Sequence, residues 1–360
     1  MDLQEKQKWS LERKIFHFLE VLELYYSNLE GKVYIAFSGG KDSTVLVFLA
    51  DVFCKTHGLP PIPLVFNNTT NEHKQILEFV KSFGDRVTWL RPKITFAQSL
   101  EKNGFPLVSK EQAQRISEAK NTKSDYLRNL RLDGVERTSK SSDKKYVSGK
   151  ISEKWKYLVY EDIEVTSKCC DILKKQPVAK FEKESGLSPI IGVLAEESNL
   201  RKQQYNKNGC IEYGKRNKCK PLSIFTEEDI WQIIKNHNIK ICDVYYDQEI
   251  DGEIVKGEDR TGCAYCAFGV NFEDPENTKF HRLQKREPNR FNSFMDKLGY
   301  RKALRLQGVF INDPLVVGDT VITKSGKAIV VEILNDTVTL MKDDISYKEP
   351  FEKVSKYPRT

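Results

Sequence analysis

The sequence predicts an α/β protein: a doubly wound, mostly parallel sheet, followed by a small C-terminal β unit of SH3-like type. Three observations carry this. Strand-like apolar runs, VYIAF at 33–37, PLVFN at 63–67 and VTWL at 87–90, alternate with stretches of helical spacing. The links between them are short, as consecutive strand–helix–strand units require. From about residue 311 the texture turns rich in Val, Thr and Ile, with turn signals at Ser325-Gly326 and Asn335-Asp336.

The elements follow in order. Apolar residues at helical spacing predict a helix over 11–27, and Gly31 ends it. VYIAF reads as a buried strand, and residues 43–56 as the helix leaving it. Pro60, Pro61 and Pro63 close the connection to the second strand. A helix over 71–83 leads to the third strand, and 111–132 reads as helical. Residues 133–154, rich in Ser, Lys and Asp, predict a mobile insertion. Strand signals return at YLVYED, 157–162, and PIIGVLA, 189–195. Thr226 is the expected N-cap of a helix over 226–237, with Glu227 and Glu228 favourable in its first turn. A basic region, 279–306, predicts two helices broken at Pro288. Residues 316–343 predict at least three short antiparallel strands, as a small barrel rather than a hairpin covering the main sheet's edge. The expected organisation is 1–270, 271–310 and 311–360.

The 360 residues are 39% hydrophobic, too apolar for a disordered chain, and carry a formal charge of +7. The basic balance favours anionic partners. No apolar run is long enough to span a bilayer, and Met1–Ser10 has no signal-peptide core. The expectation is a soluble cytoplasmic protein with no membrane partner.

The strongest motif is Ser38-Gly39-Gly40-Lys41-Asp42-Ser43, between a strand and an apolar helix. Two glycines allow a tight turn that bares N–H groups, and a helix N-terminus adds a positive field for phosphate. Lys41 supplies a point charge, Ser38 and Ser43 supply hydroxyls, and Asp42 suits Mg²⁺ or a backbone group. It is not a Walker A loop, because Ile35 stands at the first glycine position and Asp42 follows the lysine. Asn68 and Thr69 follow a strand's C-terminal end, where open α/β sheets bind ligands.

The cysteines add a second pattern, Cys169-Cys170 and Cys263-x-x-Cys266. Four thiolates in two pairs suit an iron–sulfur cluster or zinc. Cys54 and Cys242 read as core residues, while Cys210 and Cys219 are open between core, surface and ligand. Residues 115–156 hold twelve Lys or Arg against six acids, and 279–305 hold nine against two. Tyr126, Tyr146, Trp155, Phe291, Phe294 and Tyr300 lie among or beside them, a combination that suits nucleic-acid steering and stacking. Residues 201–220 hold seven Lys or Arg and one Glu.

SGGKDS resembles the PP-loop of ATP pyrophosphatases, over roughly residues 25–270. The branch it resembles contains phosphoadenosine phosphosulfate (PAPS) reductases, the small subunit of ATP sulfurylase and DndC-type proteins of DNA phosphorothioation. VFNNTTNEHKQILEFV, 65–80, resembles that branch's Asp-Thr-Gly…Glu strand end, with Asn68, Thr69 and Glu72 in place and Asn where Asp is usual. NGFPLVSKEQ, 103–112, resembles a substrate-side loop. GVLAEESNLR, 192–201, resembles a phosphate and sulfate clamp of Gly192, Glu197, Ser198 and Arg201. KPLSIFTEEDIWQII, 220–234, matches another family segment, with Phe225 for the usual Trp. The cysteine pairs resemble the [4Fe–4S] ligands of assimilatory APS reductases, which favours a cluster over zinc.

The resemblance implies ATP with Mg²⁺ as the bound nucleotide, held by Ser38–Ser43, Asn68, Thr69, Gly192, Glu197 and Ser198, with Lys41, Asp42 and Arg201 in catalytic roles. It implies adenylyl transfer that activates an acceptor oxygen for sulfur incorporation. DNA or tRNA is the implied substrate, and a sulfur-donor protein such as a cysteine desulfurase the implied partner. The reductases use a cysteine in a C-terminal tail and usually carry a degenerate loop. Here residues 267–360 hold no cysteine, and the loop is intact. PAPS or APS reduction through Cys210 or Cys219, and a non-catalytic nucleotide-binding subunit, are the alternatives.

Overall fold

The structure, a computed structural model, describes residues 2–139 and 143–359. The chain forms two compact units. The first comprises Met1–Lys93, Ile172–Gln248 and Lys256–Cys263; the second comprises Ile94–Asp171, Glu249–Val255 and Ala264–Thr360.

The first unit is built on a six-stranded sheet. Its spatial order is Val87–Leu90, Leu64–Asn67, Val33–Ala36, Ser188–Ile191, Lys218–Cys219 and Ile211–Glu212. All neighbours are parallel except the last pair. The strands read as continuous apolar runs because helices cover the sheet. Helix Leu11–Asn28 turns Phe18, Val21, Leu22 and Tyr25 inward, the i, i+3, i+4, i+7 stripe that its sequence spacing foretold. Helix Lys41–Thr56 buries Val45, Leu46, Leu49, Ala50 and Phe53 in the same core. Lys14 and Asp229 form a buried 2.6 Å ion pair between two helices. Thr226 caps helix Glu227–Asn236, its hydroxyl accepting from the Asp229 N–H.

The chain runs outward from the Val33 strand to the 64 and 87 strands, then returns to pair Ser188–Ile191 on the other side. The winding direction therefore reverses between the Val33 and Ser188 strands. Ligands of open α/β sheets bind beside the carboxyl ends at such a point.

Several expectations change in the second unit. Residues 157–162 are not a strand. Glu153–Val159 form a 3₁₀ helix that buries Trp155, Leu158 and Val159. Burial at 155 and 158 follows the three-residue turn, not the two-residue alternation of a half-buried strand. The single helix expected over 111–132 is two, Lys110–Asn121 and Asp125–Leu132, with Ser124 capping the second. The expected insertion contains an antiparallel hairpin, Val135–Thr138 with Lys145–Ser148; residues 140–142 lie outside the described residues. The basic region breaks at Pro288 as read: helix Lys279–Arg286 gives way to Pro288–Asn292, and Tyr300–Leu306 follows.

The C-terminal β unit is a four-stranded antiparallel meander of Thr320–Thr323, Gly326–Leu334, Thr337–Lys342 and Ile345–Pro350. It has its own core of Val321, Ala328, Val330, Val338 and Leu340. Among the described residues its strands pair with one another and not with the main sheet, so it is no edge-covering hairpin. Its first edge is closed by the chain end, where Ile322 N–H donates to the Pro358 carbonyl at 2.8 Å. Buried Arg359 donates to the Asp313 and Pro314 carbonyls at 3.0 and 2.9 Å. No helix among the described residues is long and apolar enough to cross a membrane.

Candidate nucleotide site

The loop from the Val33 strand into helix Lys41–Thr56 lies at the switch point of the first unit. Gly39 has φ +72°, and a Cβ there would stand 2.8 Å from the Val80 side chain. Both backbone conformation and space therefore require glycine. Gly40 is the helix N-cap, and a Cβ on it would meet Thr261 Oγ1 at 2.9 Å and the Tyr245 hydroxyl at 3.0 Å. The hydroxyls of Ser38 and Ser43 lie 3.0 Å apart. Ser43 Oγ donates to the Gly40 carbonyl at 2.9 Å, and the Ser38 N–H donates to Ser43 Oγ at 3.3 Å. The turn is thus tied by its own serines, which holds its shape.

Lys41 is only 3% exposed. Its Nζ stands 3.3 Å from Glu227 Oε1 and 3.7 Å from Asp42 Oδ1, with the Tyr245 ring centroid 5.5 Å away. Asp42 Oδ1 is buried and has no hydrogen-bond partner. Burial raises the Asp42 carboxyl above the usual range; Glu227 adds to the rise, while Lys41 and Arg260 oppose it. Arg201 is pulled below its usual value, first by burial and then by repulsion from Arg260, with Asp42 opposing. Lys41, Asp42, Arg201, Glu227 and Arg260 therefore form one electrostatic cluster.

Most of the predicted residues meet here. A Cβ on Gly192 would stand 3.1 Å from the Asp42 carbonyl oxygen and the Ser43 Cα, so its lack of a side chain lets the Ser188–Ile191 strand end pack on the phosphate turn. Arg201 is paired with Glu197, whose carboxylate also accepts from the Leu194 N–H. Ser198 caps helix Asn199–Asn208 by accepting from the Arg201 N–H at 3.3 Å. Glu197 and Ser198 thus aim Arg201. At the second strand end, Asn68 Oδ1 accepts from the Thr70 N–H at 2.9 Å, and the buried Thr69 hydroxyl donates to Glu72 at 2.7 Å. Thr69, Glu72, Ser38 and Gly262 line a cavity of about 230 Å³.

Sequence reasoning missed Arg260, Thr261, Tyr245 and Glu227. The Lys41 N–H donates to the Tyr245 hydroxyl at 3.1 Å, and that hydroxyl sits 2.7 Å from Thr261 Oγ1. Burial pushes Tyr245 up to about 12. The only signal of this group was the position of Arg260-Thr261-Gly262 directly before the CxxC.

None of the eight cysteines is joined in a disulfide. Cys219 is fully buried in the sheet, and burial pushes its thiol well above the ordinary value. Cys210 is pushed up to about 11, again by burial. Both are buried; Lys6 and Lys220 act on Cys210 but do not offset its burial, so neither thiol has the exposed setting of a reactive thiolate. Cys169, Cys170 and Cys266 belong to the second unit, and Cys263 ends the first. Among the described residues, no three His, Cys, Asp or Glu side chains converge as a metal-ion site. What fits a cluster or zinc is the donor chemistry, sulfur side chains in two sequence pairs, of which Cys170, Cys263 and Cys266 are partly exposed.

The aromatic reading of the basic runs also changes. Trp155, Phe291, Phe294 and Tyr300 are core residues, and Phe294 stacks on Tyr265 at 4.1 Å. Tyr126 and Tyr146 alone of the six are exposed, at 76% and 49%.

The fold defines a class, α/β proteins with a mostly parallel sheet and a glycine turn between strand and helix at the switch point. The family model of the phosphoadenosine phosphosulfate reductase domain matches residues 32–124 and 99–269, more than half of the chain. The protein belongs to that family. It is similar to the phosphoadenylyl-sulfate (PAPS) reductase of Candida auris in a phosphate complex, at 13% identity and TM-score 0.37, over 63% of this chain and 82% of that one. It is similar also to the U34-tRNA thiolase NcsA of Methanococcus maripaludis with its [4Fe-4S] cluster, at 14% identity and TM-score 0.30, over 75% and 70%. No curated protein matches.

Proposed function

We propose that the protein cleaves ATP between its α- and β-phosphates and transfers AMP to an acceptor oxygen, activating it for sulfur incorporation. The observation that carries this is the burial of Lys41 in an intact glycine turn, with Arg201 and Arg260 beside Asp42. A cationic group desolvated at a helix N-terminus stabilises developing phosphate charge far better than a solvated one.

In this reading, the acceptor oxygen bonds to the α-phosphorus while the α–β bridging P–O bond breaks. Pyrophosphate leaves with its charge on the Gly40 and Lys41 N–H groups, the Ser38 hydroxyl and Lys41 Nζ. The Tyr245 hydroxyl now on the Lys41 N–H gives way to a phosphate oxygen. Arg201 and Arg260 orient the α-phosphate. A sulfur nucleophile then displaces AMP from the activated carbon or phosphorus. Mg²⁺ accompanying ATP would be held by Asp42, whose buried Oδ1 accepts no hydrogen bond among the described residues and suits a hard cation, and would neutralise phosphate charge. Whether the cysteine pairs take a [4Fe–4S] cluster or zinc, as the resemblance implies, the chemistry supplied would be a fixed local charge. Iron, sulfide and zinc assays on anaerobically purified protein decide between them.

The family allows another outcome, reduction of PAPS or APS. The test is turnover of α-³²P ATP with DNA, bulk tRNA or sulfate in parallel, with Lys41→Ala as control. Pyrophosphate release that needs one acceptor and vanishes in the variant is the expected result. Sulfite release from PAPS and a thiol, with ATP intact, would overturn it.

A further inference from the structure

We propose that a second site, a cleft between the C-terminal sheet and the 3₁₀ helix Glu153–Val159, binds a single-stranded segment of nucleic acid. The cleft lies wholly within the second unit and has a volume of about 760 Å³. That is within the range of ligand clefts, roughly 300–1,000 Å³.

Its walls come from three stretches far apart in sequence. Lys154 stands on the 3₁₀ helix, Lys324 at the first turn of the sheet, and Lys353 and Lys356 at the chain's last helix and turn. The one carboxylate in the lining, Glu153, is already paired with Lys150 and Lys156, at 3.1 and 3.0 Å. Lys353 is paired with Glu349 at 2.9 Å. Lys154, Lys324 and Lys356 are exposed and form no ion pair among the described residues. Three exposed lysines outside any ion pair thus line one concave surface, Lys324 within the field of Glu349 and Lys154 over the Trp155 ring, and an anion lying between them would relieve their mutual repulsion.

The floor of the cleft is aromatic and fixed. The Tyr157 hydroxyl donates to the Leu306 carbonyl, and the Tyr357 hydroxyl donates to Glu349 at 2.6 Å. Both hydroxyls are committed, and Lys353 Nζ stands 5.7 Å from the Tyr357 ring centroid, so the rings enter the lining as apolar, cation-flanked surface rather than as hydrogen-bond donors. Lys327 holds the sheet to Glu161, just beyond the 3₁₀ helix, at 2.9 Å. Lysines and aromatic rings lining one cleft match a ligand with phosphates along a backbone and flat bases between them. An acidic peptide offers the charge without the flat surface.

This deepens the transfer reading, and rests on it for the class of acceptor alone; the binding needs neither ATP nor turnover. The test uses the full chain without ATP and fluorescein-labelled single-stranded DNA, single-stranded RNA, duplex DNA and polyglutamate, followed by anisotropy across a salt series. In the triple variant Lys154→Glu, Lys324→Glu, Lys356→Glu, single-strand affinity should fall at least about tenfold. The slope of log K against log salt should be shallower by about 2, at ~0.7 per single-strand phosphate contact. Lys356→Gln alone, a milder change, should lower the slope by about 0.7. The DNA and RNA arms tell which strand is preferred. Unchanged affinity and slope in both variants would overturn the assignment, as would polyglutamate binding as tightly as the strands. Loss of AMP transfer in the wild type with strand binding intact would sink the transfer reading and leave this one standing.

Discussion

The phosphate turn and the basic segment at 279–306 are both rich in charge, and they bury opposite things. The turn buries a lysine and half-buries an aspartate. The basic segment buries its rings and aliphatic side chains, Phe280, Leu283, Phe291, Phe294, Tyr300 and Leu304. Of its cations, Lys285 and Arg301 pair at the surface with Glu253 and Asp296, while Arg290 is paired with the buried Glu287 and lies over the Tyr265 ring. Desolvating a charge costs several kcal/mol unless partners offset it, whereas an exposed pair is worth ~0–1 kcal/mol. Charge that a fold keeps buried at a turn is therefore evidence of a task. Charge on a helix surface is mainly solvation.

The largest expected effect sharpens that contrast. Lys41→Ala should lower ATP turnover by about 10³-fold or more, as loss of a principal transition-state charge does. Lys285→Ala should leave it unchanged. Equal losses in steady-state pyrophosphate release would break the comparison.

The next effect lies in the basic segment and concerns stability. Phe294 stacks on Tyr265 and lies near Phe96 at 5.8 Å. Phe294→Ala should cost about 3–5 kcal/mol in urea unfolding. A loss under about 1 kcal/mol, the scale of a surface site, would return this ring to the surface and revive a stacking role.

Smaller again is Arg260→Ala. Arg260 acts on both Asp42 and Arg201, so its loss should raise the KM for ATP by about ten- to a hundredfold, 1.4 kcal/mol per factor of ten. An unchanged KM in initial-rate kinetics would place Arg260 outside the nucleotide site.

The sequence made the strand–turn–helix of the phosphate site legible because everything there is local: two glycines, a lysine and a cap within six residues. Gly192 and Arg201 were reachable only through resemblance. Arg260, Thr261 and Tyr245 arrive from some two hundred residues away, and the one local mark is the CxxC that follows Arg260-Thr261-Gly262. YLVYED misled because aromatic and β-branched residues suit a strand, yet tertiary burial at three-residue spacing prevailed. Phe291, Phe294 and Tyr300 misled because a basic segment can hide an apolar stripe that composition alone does not phase.

The smallest expected effect on activity belongs to Cys210, and it separates a core thiol from a catalytic one. Cys210 is buried, and its pKa is raised to about 11 by that burial. An unfolded thiol titrates near 8.5. The folded state therefore holds the proton longer, and the stability this contributes is full below about pH 8.5 and is lost as pH rises through about 11. Cys210→Ala should flatten the fall in thermal midpoint between pH 9 and 11 relative to wild type, and should leave ATP turnover at pH 7.5 unchanged. A nucleophilic thiolate would behave oppositely, with activity abolished by the substitution and iodoacetamide labelling rapid at neutral pH. Either of those results would restore a cysteine-based reductase mechanism.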